Sequence, residues 1–343
     1  MSRKLFAVTL LLALLLGACA PAAAPQPIAT SAPTARPTAA PTSVPTLAPT
    51  TTPAEPPAPT STPAAAPIQL TDGLGRSIEL PAPAQRIVSI APSNTEILFA
   101  LGAGGQVVGR EEMSDYPAAA KNVTSIGSVF QKMNTEAIVA LNPDLILAAE
   151  INSPEQVKAL EDLKLTVYYL ANPKTFDDLY ANLETVGKLT GRSAEAAKLN
   201  ESLKARYDVV IQKLSQAKDA PTVFYEIDAT DPTKPYTSGP GTFIDLVITL
   251  AGGKNIGIYL KDSFGQFSSE ELVRMNPEII VLGDALYGVT PESVAQRPGW
   301  NALNAVKNNQ VVAFDDNLIS RPGPRLIDGL EQMAKLIHPE LFK

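Results

Sequence analysis

Reactive side chains are scarce in this chain. Among 343 residues there is one cysteine, Cys19, and one histidine, His338. A lone cysteine excludes an intrachain disulfide and any cysteine-rich metal site. The lone histidine, in Leu336-Ile337-His338-Pro339, would have to serve any Ser-His-Asp arrangement or histidine-bearing metal centre. No Gly-x-Ser-x-Gly elbow and no His-Glu-x-x-His accompanies it. At a helix end such a histidine is expected to cap carbonyls. Positive charge is also short, at 28 Lys and Arg against 35 Asp and Glu, so nothing favours nucleic acid. The adjacent acids Glu111-Glu112, Asp177-Asp178 and Asp315-Asp316 read as solvated loops or helix ends. Neither catalysis nor a cofactor is expected.

Long apolar runs are missing apart from residues 5–16, which follow Arg3 and Lys4 and are too short to span a bilayer. This run ends in Leu16-Gly17-Ala18-Cys19, which resembles the lipobox of bacterial lipoproteins. Residues 1–19 therefore read as a lipoprotein signal peptide, with Cys19 as the lipidated residue. Residues 20–66 are almost wholly Pro, Ala, Thr and Ser. Such a segment cannot bury enough apolar surface to fold. It would act as a tether reaching roughly 40 Å as a coil and 150 Å when extended. The expected setting is extracytoplasmic, anchored to the cell membrane, with a monomeric body.

What remains is long enough for two lobes. Residues 68–72 and 76–80 alternate around a Gly-containing turn and read as a hairpin. Strand-like segments at 86–90, 107–109, 145–148 and 167–170 then alternate with helical ones at 92–101, 135–141, 154–163 and 176–189. Gly102, Gly104 and Gly105 end a helix, and no Gly-Lys-Ser/Thr follows, so they are a helix stop and not a phosphate loop. Residues 193–214 carry apolar residues at Ala196, Leu199, Leu203, Tyr207, Val210 and Leu214 with no Pro or Gly between, which predicts one unbroken helix of roughly 35 Å. Ser193 is placed to cap it, and Gly191 to end its predecessor. Beyond it the alternation resumes, with strands at 222–227, 279–282 and 311–314 and helices at 243–250, 270–275 and 326–336. Asn142-Pro143-Asp144 and Asn276-Pro277-Glu278 each lead from a Glu-bearing helix into an apolar strand. The fold class is α/β, as two lobes built alike (67–190 and 219–343) joined by a helical segment at 191–218.

Several stretches together carry a family resemblance. They are Arg86-Ile87-Val88-Ser89-Ile90-Ala91-Pro92-Ser93-Asn94-Thr95-Glu96, Ser114-Asp115-Tyr116-Pro117 and the run from Asn134-Thr135-Glu136 to Asn142-Pro143-Asp144-Leu145. Tyr236-Thr237-Ser238-Gly239, Ala251-Gly252-Gly253-Lys254-Asn255 and Trp300-Asn301-Ala302-Leu303 extend it through the second lobe. From about Thr71 onward the chain resembles the periplasmic-binding proteins of cobalamin and ferric-siderophore ABC importers, and within them the cobalamin-binding branch. The resemblance implies two Rossmann-like lobes on one backbone helix, a ligand cleft between them and little hinge motion. It implies a cleft lined by Met113 and Phe130 from the first lobe, with Tyr236, Phe264, Asn317, Leu318, Ile319, Ser320 and Arg321 from the second. In the cobalamin branch, aromatics stand where this chain has Met113 and in part of 317–319, and tryptophans where it has Phe130 and Phe264. It also implies that Glu136 and Glu270 dock on arginines of a permease that works with an ATPase. A corrinoid is the expected ligand; the alternatives are a ferric siderophore, for which Arg110, Arg321 and Arg325 are candidates, or haem.

Overall fold

The apolar run Leu145–Ala149 is buried at every position, which requires a sheet covered on both faces. The structure, a computed structural model, describes residues 67–131 and 133–343. The leader, Cys19 and the tether read from the sequence lie outside these residues. The described chain opens with an antiparallel hairpin, β1 (Ile68–Thr71) and β2 (Ser77–Leu80). Its turn is closed by the Asp72 carboxylate, which accepts the Leu74 and Arg76 amides. Next, β3 (Ile87–Ser89), β4 (Val107–Arg110), β5 (Leu145–Ala149) and β6 (Val167–Leu170) form a parallel sheet in the order β4-β3-β5-β6. The helices α1 (Pro92–Ala100), α2 (Thr135–Ala140) and α3 (Pro154–Asp162) connect these strands, and α4 (Phe176–Thr190) follows them. One face of the sheet packs Val88, Ile146 and Val167 against Ile138, Val157 and Leu160. On the other, Ile87, Leu145 and Leu147 meet Ile97, Leu98 and Leu183.

The chain leaves this lobe through α5 (Ser193–Leu214), the 22-residue helix that the apolar stripe predicts. Gly191 ends α4 in the left-handed conformation, which glycine adopts without strain. A Cβ on Gly187 would lie 2.7 Å from that of Ala196, so the corner between α4 and α5 is tight because that position is bare. The cap differs from the expectation: Arg192 is the N-cap, without a side-chain bond, and Ser193 is already helical. Ala196, Leu203 and Val210 are buried, with Leu199, Tyr207 and Leu214 packed beside them in a core that includes both lobes. Arg206 pairs with Asp328 and Glu331 of the second lobe.

In the second lobe, β7 (Thr222–Asp228), β8 (Tyr236–Ser238), β9 (Lys254–Asn255), β10 (Phe264–Gln266), β11 (Ile279–Leu282) and β12 (Val311–Ala313) form a sheet in the order β10-β8-β7-β11-β12, with β9 beside the start of β7. The strands β7, β11 and β12 are parallel, whereas β8 and β10 are antiparallel. They are covered by α6 (Phe243–Leu250), α7 (Ser269–Met275), α8 (Pro291–Ala295), α9 (Asn304–Lys307) and α10 (Leu326–Ile337). The three-residue strands β8 and β10 are too short for an alternating pattern to reveal. His338 follows α10 and is buried. Its ring does not cap helix carbonyls: Nδ1 faces Glu340 at 3.4 Å and Asp219 at 3.8 Å, while the other edge abuts Gly252.

The repeated Asn-Pro-acid corners have a common geometry. Asn142 and Asn276 both take positive φ. The Asp144 carboxylate then accepts the Gln85 and Arg86 amides at the entry to β3, and the Glu278 carboxylate accepts the Thr222 amide at the entry to β7. Each corner thus ties a strand to its neighbour. Because α5 packs on both lobes through Leu203, Leu203→Pro removes a helical hydrogen bond inside that core. It is expected to cost about 3 kcal/mol or more, read as a lowered urea midpoint; an unchanged midpoint would contradict the packing role.

Candidate functional site

The carboxyl ends of parallel strands are where open α/β sheets hold ligands. Here the segments after β3, β5 and β6 meet the second lobe around a solvent-open cavity of about 280 Å³. Its first-lobe wall is Ala91, Pro92, Ser93, Ala149, Glu150, Ile151 and Asn172. The opposite wall is Phe243, Phe264, Ser320, Arg321 and Pro322. A narrower extension of about 70 Å³ shares Glu150, Asn172, Phe243 and Phe264 and adds Lys174, Thr242 and Ser263. The Phe243 and Phe264 rings lie 6.5 Å apart, tilted, and form the apolar side.

Buried polar contacts hold the first-lobe loops. Asn94 of α1 donates to the Leu147 carbonyl at 3.1 Å. Asn152 donates to the Ile90 carbonyl at 3.0 Å and accepts the Ala149 amide at 2.9 Å. The Thr95 hydroxyl bonds Ser89 Oγ at 2.8 Å and Ser114 Oγ at 3.0 Å, and Ser114 bonds the Glu111 carboxylate at 3.0 Å. These bonds tie the loops to the sheet, although Asn94 Oδ1 and Glu111 Oε2 are buried without a partner among the described residues.

Beside the cavity the lobes are bridged by charge. Glu96 of α1 is 2 % exposed at its side chain. It receives Arg325 through two bonds, of 2.8 and 2.6 Å, and Arg321 through one of 3.4 Å. Arg321 also reaches Asp115 at 2.8 Å, and the Arg325 guanidinium lies 3.9 Å from the centre of the Tyr116 ring. Burial pushes the Glu96 carboxyl upward against the opposing pull of both arginines.

Of the residues singled out in the sequence, Phe264, Ser320 and Arg321 line the cavity. Met113 and Phe130 are 46 % and 69 % exposed and lie outside its lining, as does the half-buried Tyr236. Asn317 turns its side chain onto Asp315 at 3.0 Å. Leu318 and Ile319 are corrected: both are buried core residues, and Ile319 sits against Gly329 of α10. A single 3-10 turn at Asp316–Leu318 sends these two inward and leaves Ser320 and Arg321 facing the cleft. Arg110 is also occupied, donating to the carbonyls of Ala120, Glu111 and Glu112. Glu136 and Glu270 are exposed in the first turns of α2 and α7, without ion pairs among the described residues. Each stands the same distance ahead of its Asn-Pro-acid corner.

Sequence reasoning missed Glu96, Glu150, Asn172 and Phe243. Glu150 and Asn172 follow the carboxyl ends of predicted strands, and the strand-end rule would have found them. Phe243 opens a predicted helix but follows β8, a strand the sequence did not announce. Glu96 carried no such signal, because its partners are more than two hundred positions away. The reading of adjacent acids as solvated also fails in part. Glu111 is fully buried, and burial raises its pKa. Asp316, raised likewise by burial, accepts the Tyr225 hydroxyl at 2.7 Å.

A second buried charge group lies at the carboxyl ends of β7 and β11. Glu226 is fully buried and takes Arg297 in a two-bond pair of 2.5 and 2.8 Å. Asp284 is 3 % exposed beside it. Burial, reinforced by the neighbouring Glu226 charge, pushes the Asp284 carboxyl up to about 7. Two carboxylates share one cation there, so one keeps its proton.

Comparison with known proteins shows matches over most of the chain. The family model described as periplasmic binding protein matches residues 87–318. An ABC transporter substrate-binding lipoprotein of Bacillus subtilis is 34% identical over 284 residues, covering 81% of this chain and 87% of the relative. The crystal structure of the periplasmic vitamin B12 binding protein of Vibrio cholerae superimposes with a TM-score of 0.66 at 28% identity, covering 76% of this chain and 99% of the other. That of a possible iron-binding, periplasmic solute-binding protein of Staphylococcus epidermidis gives 0.63 at 30% identity, covering 74% and 99%.

The Asp284 carboxyl makes stability depend on pH. Its pKa is raised from 3.8 to about 7, so the folded chain keeps a proton that the unfolded chain releases. Stability therefore falls as pH rises from about 4 to 7 and is flat above. Asp284→Asn removes the titratable charge beside Glu226. It is expected to be more stable than the native chain by about 2–4 kcal/mol at pH 8, with no gain at pH 4, as read from denaturant unfolding at both.

Proposed function

Because this chain belongs to the periplasmic binding protein family, and so is a solute-binding protein of an ABC importer and not an enzyme, we propose that its solute is a corrinoid. The charge balance of the cleft carries this reading. Arg321 and Arg325 are already engaged by Glu96 and Asp115, and Lys174 and Glu150 are the remaining charges on the cavity and its extension. A strongly anionic ferric siderophore would find no free guanidinium there. Haem iron would find neither histidine nor tyrosine in the lining. A corrinoid brings its own metal ligands, a broad apolar face for Phe243 and Phe264, and a rim of carboxamides for Glu150, Asn172, Ser93 and Ser320. The cavity takes one edge of such a macrocycle, and the remainder lies along its open mouth. The vitamin B12 binding protein of Vibrio cholerae supports the same ligand class.

In this reading the chain is monomeric and is held at the outer face of the cell membrane by lipid on Cys19, with residues 20–66 as its tether. The lipoprotein name of the Bacillus subtilis relative supports the anchor. Glu136 and Glu270 meet basic residues on the permease, one for each lobe.

Calorimetric titration with cyanocobalamin, haemin and a ferric catecholate tests the ligand. Saturable binding of cyanocobalamin is expected; binding of either of the others without it would overturn the corrinoid reading. The doubly substituted Glu136→Ala/Glu270→Ala protein is expected to bind the solute normally but to fail in uptake by cells carrying the permease and ATPase. Normal uptake would remove the docking role.

A further inference from the structure

Glu150 is the carboxylate on the main cavity wall, where no ion pair holds it among the described residues; the one other unengaged charge, Lys174, stands on the narrow extension and not on the main cavity. Glu150 follows directly on β5, the strand buried at every position, so its backbone is fixed by the centre of the sheet. Its Oε1 accepts the Asn172 amide at 3.0 Å, which orients the carboxylate across the gap between the loops after β5 and β6. Among the described residues it has no ion pair and no further hydrogen bond. It lines both the main cavity and the narrow extension, in each case with Phe243 and Phe264. Arg321, on the same cavity, cannot serve as its counter-ion while held by Glu96 and Asp115.

We infer that Glu150 sets the specificity of the cleft, accepting solutes whose rim bears carboxamide or other N–H donors and rejecting those whose rim bears carboxylates. This rests on the corrinoid reading and names the part of the ligand that is recognised. An amide N–H directed at a fixed carboxylate makes a charge-assisted hydrogen bond, which is stronger than a bond between neutral groups. A ligand carboxylate at the same place on the main cavity meets a like charge, while Arg321 is held by Glu96 and Asp115 and Lys174 lies on the extension outside that lining. Like-charge juxtaposition of this kind is how interfaces exclude wrong partners. The apolar rings of Phe243 and Phe264 hold either ligand equally, so discrimination falls to the carboxylate.

Two corrinoids that differ in this respect provide the test: dicyanocobinamide, with a carboxamide rim, and dicyanocobyrinic acid, in which those amides are carboxylates. Both are titrated by calorimetry into the native protein and into Glu150→Gln. The variant keeps an acceptor for the Asn172 amide and removes only the charge. The native protein is expected to prefer the amide by about tenfold or more, a difference of about 1.4 kcal/mol per tenfold. Glu150→Gln is expected to narrow that ratio, chiefly by tightening the acid. An unchanged ratio, or equal binding of both by the native protein, overturns the inference and leaves the corrinoid reading standing. Binding of neither by the native protein overturns both.

Discussion

The geometry of the cleft depends on one buried carboxylate. Glu96 stands on the first lobe, and both of its arginine partners stand on the second. A buried ion pair contributes little net stability, but removing one partner costs about 3–5 kcal/mol because a charge is left buried and alone. The lobes therefore cannot part at α1 without either wetting Glu96 or stranding it. The other tie is α5, which packs on α4 through Ala196 and Tyr207 and is clamped to α10 by Arg206. Both ties end on one element. Arg325 immediately precedes α10, while Asp328 and Glu331 lie in its first turns.

Two attachments to one helix constrain motion more than a hinge does. Rotation about α5 strains the Glu96 cluster, and translation along the cleft strains the Arg206 clamp. The cavity then has walls whose loops are separately pinned by Asn94, Asn152 and Thr95. The same cluster also sets the electrostatics, because the arginines that hold the lobes together are no longer free to attract an anionic solute. One set of contacts thereby both joins the cleft walls and occupies the arginines beside them.

Much of the fold was legible in the chain because each strong element has a local cause. The stripe from Ala196 to Leu214 fixes α5, the uninterrupted apolar run fixes β5, and Gly191 fixes the corner between helices. What escaped was whatever depends on distant partners. The strands β8 and β10 exist because Thr237 and Ser238 find places beside β7 and β10, which three residues cannot announce. In the site, Leu318 and Ile319 followed family position into the cleft, although the 3-10 turn before Ser320 directs them to the core. Glu150 and Asn172 could have been found from strand ends alone. Glu96, Arg297 and Asp284 could not, since their roles arise only when separate segments of the chain meet.

The two Asn-Pro-acid corners carry the same logic to the outer surface. Each begins with an asparagine at positive φ and ends with a carboxylate bonded to the backbone of the adjacent strand. A corner held in this way transmits the position of its sheet to the short helix before it. Glu136 and Glu270 sit at the far ends of those helices, in equivalent places on the two lobes. Their separation is therefore set by the spacing of the sheets, which α5 and the Glu96 cluster hold nearly fixed. A permease that meets both carboxylates would be measuring that spacing. If the proposed docking holds, any shift of the lobes on solute binding would reach the permease through these two corners.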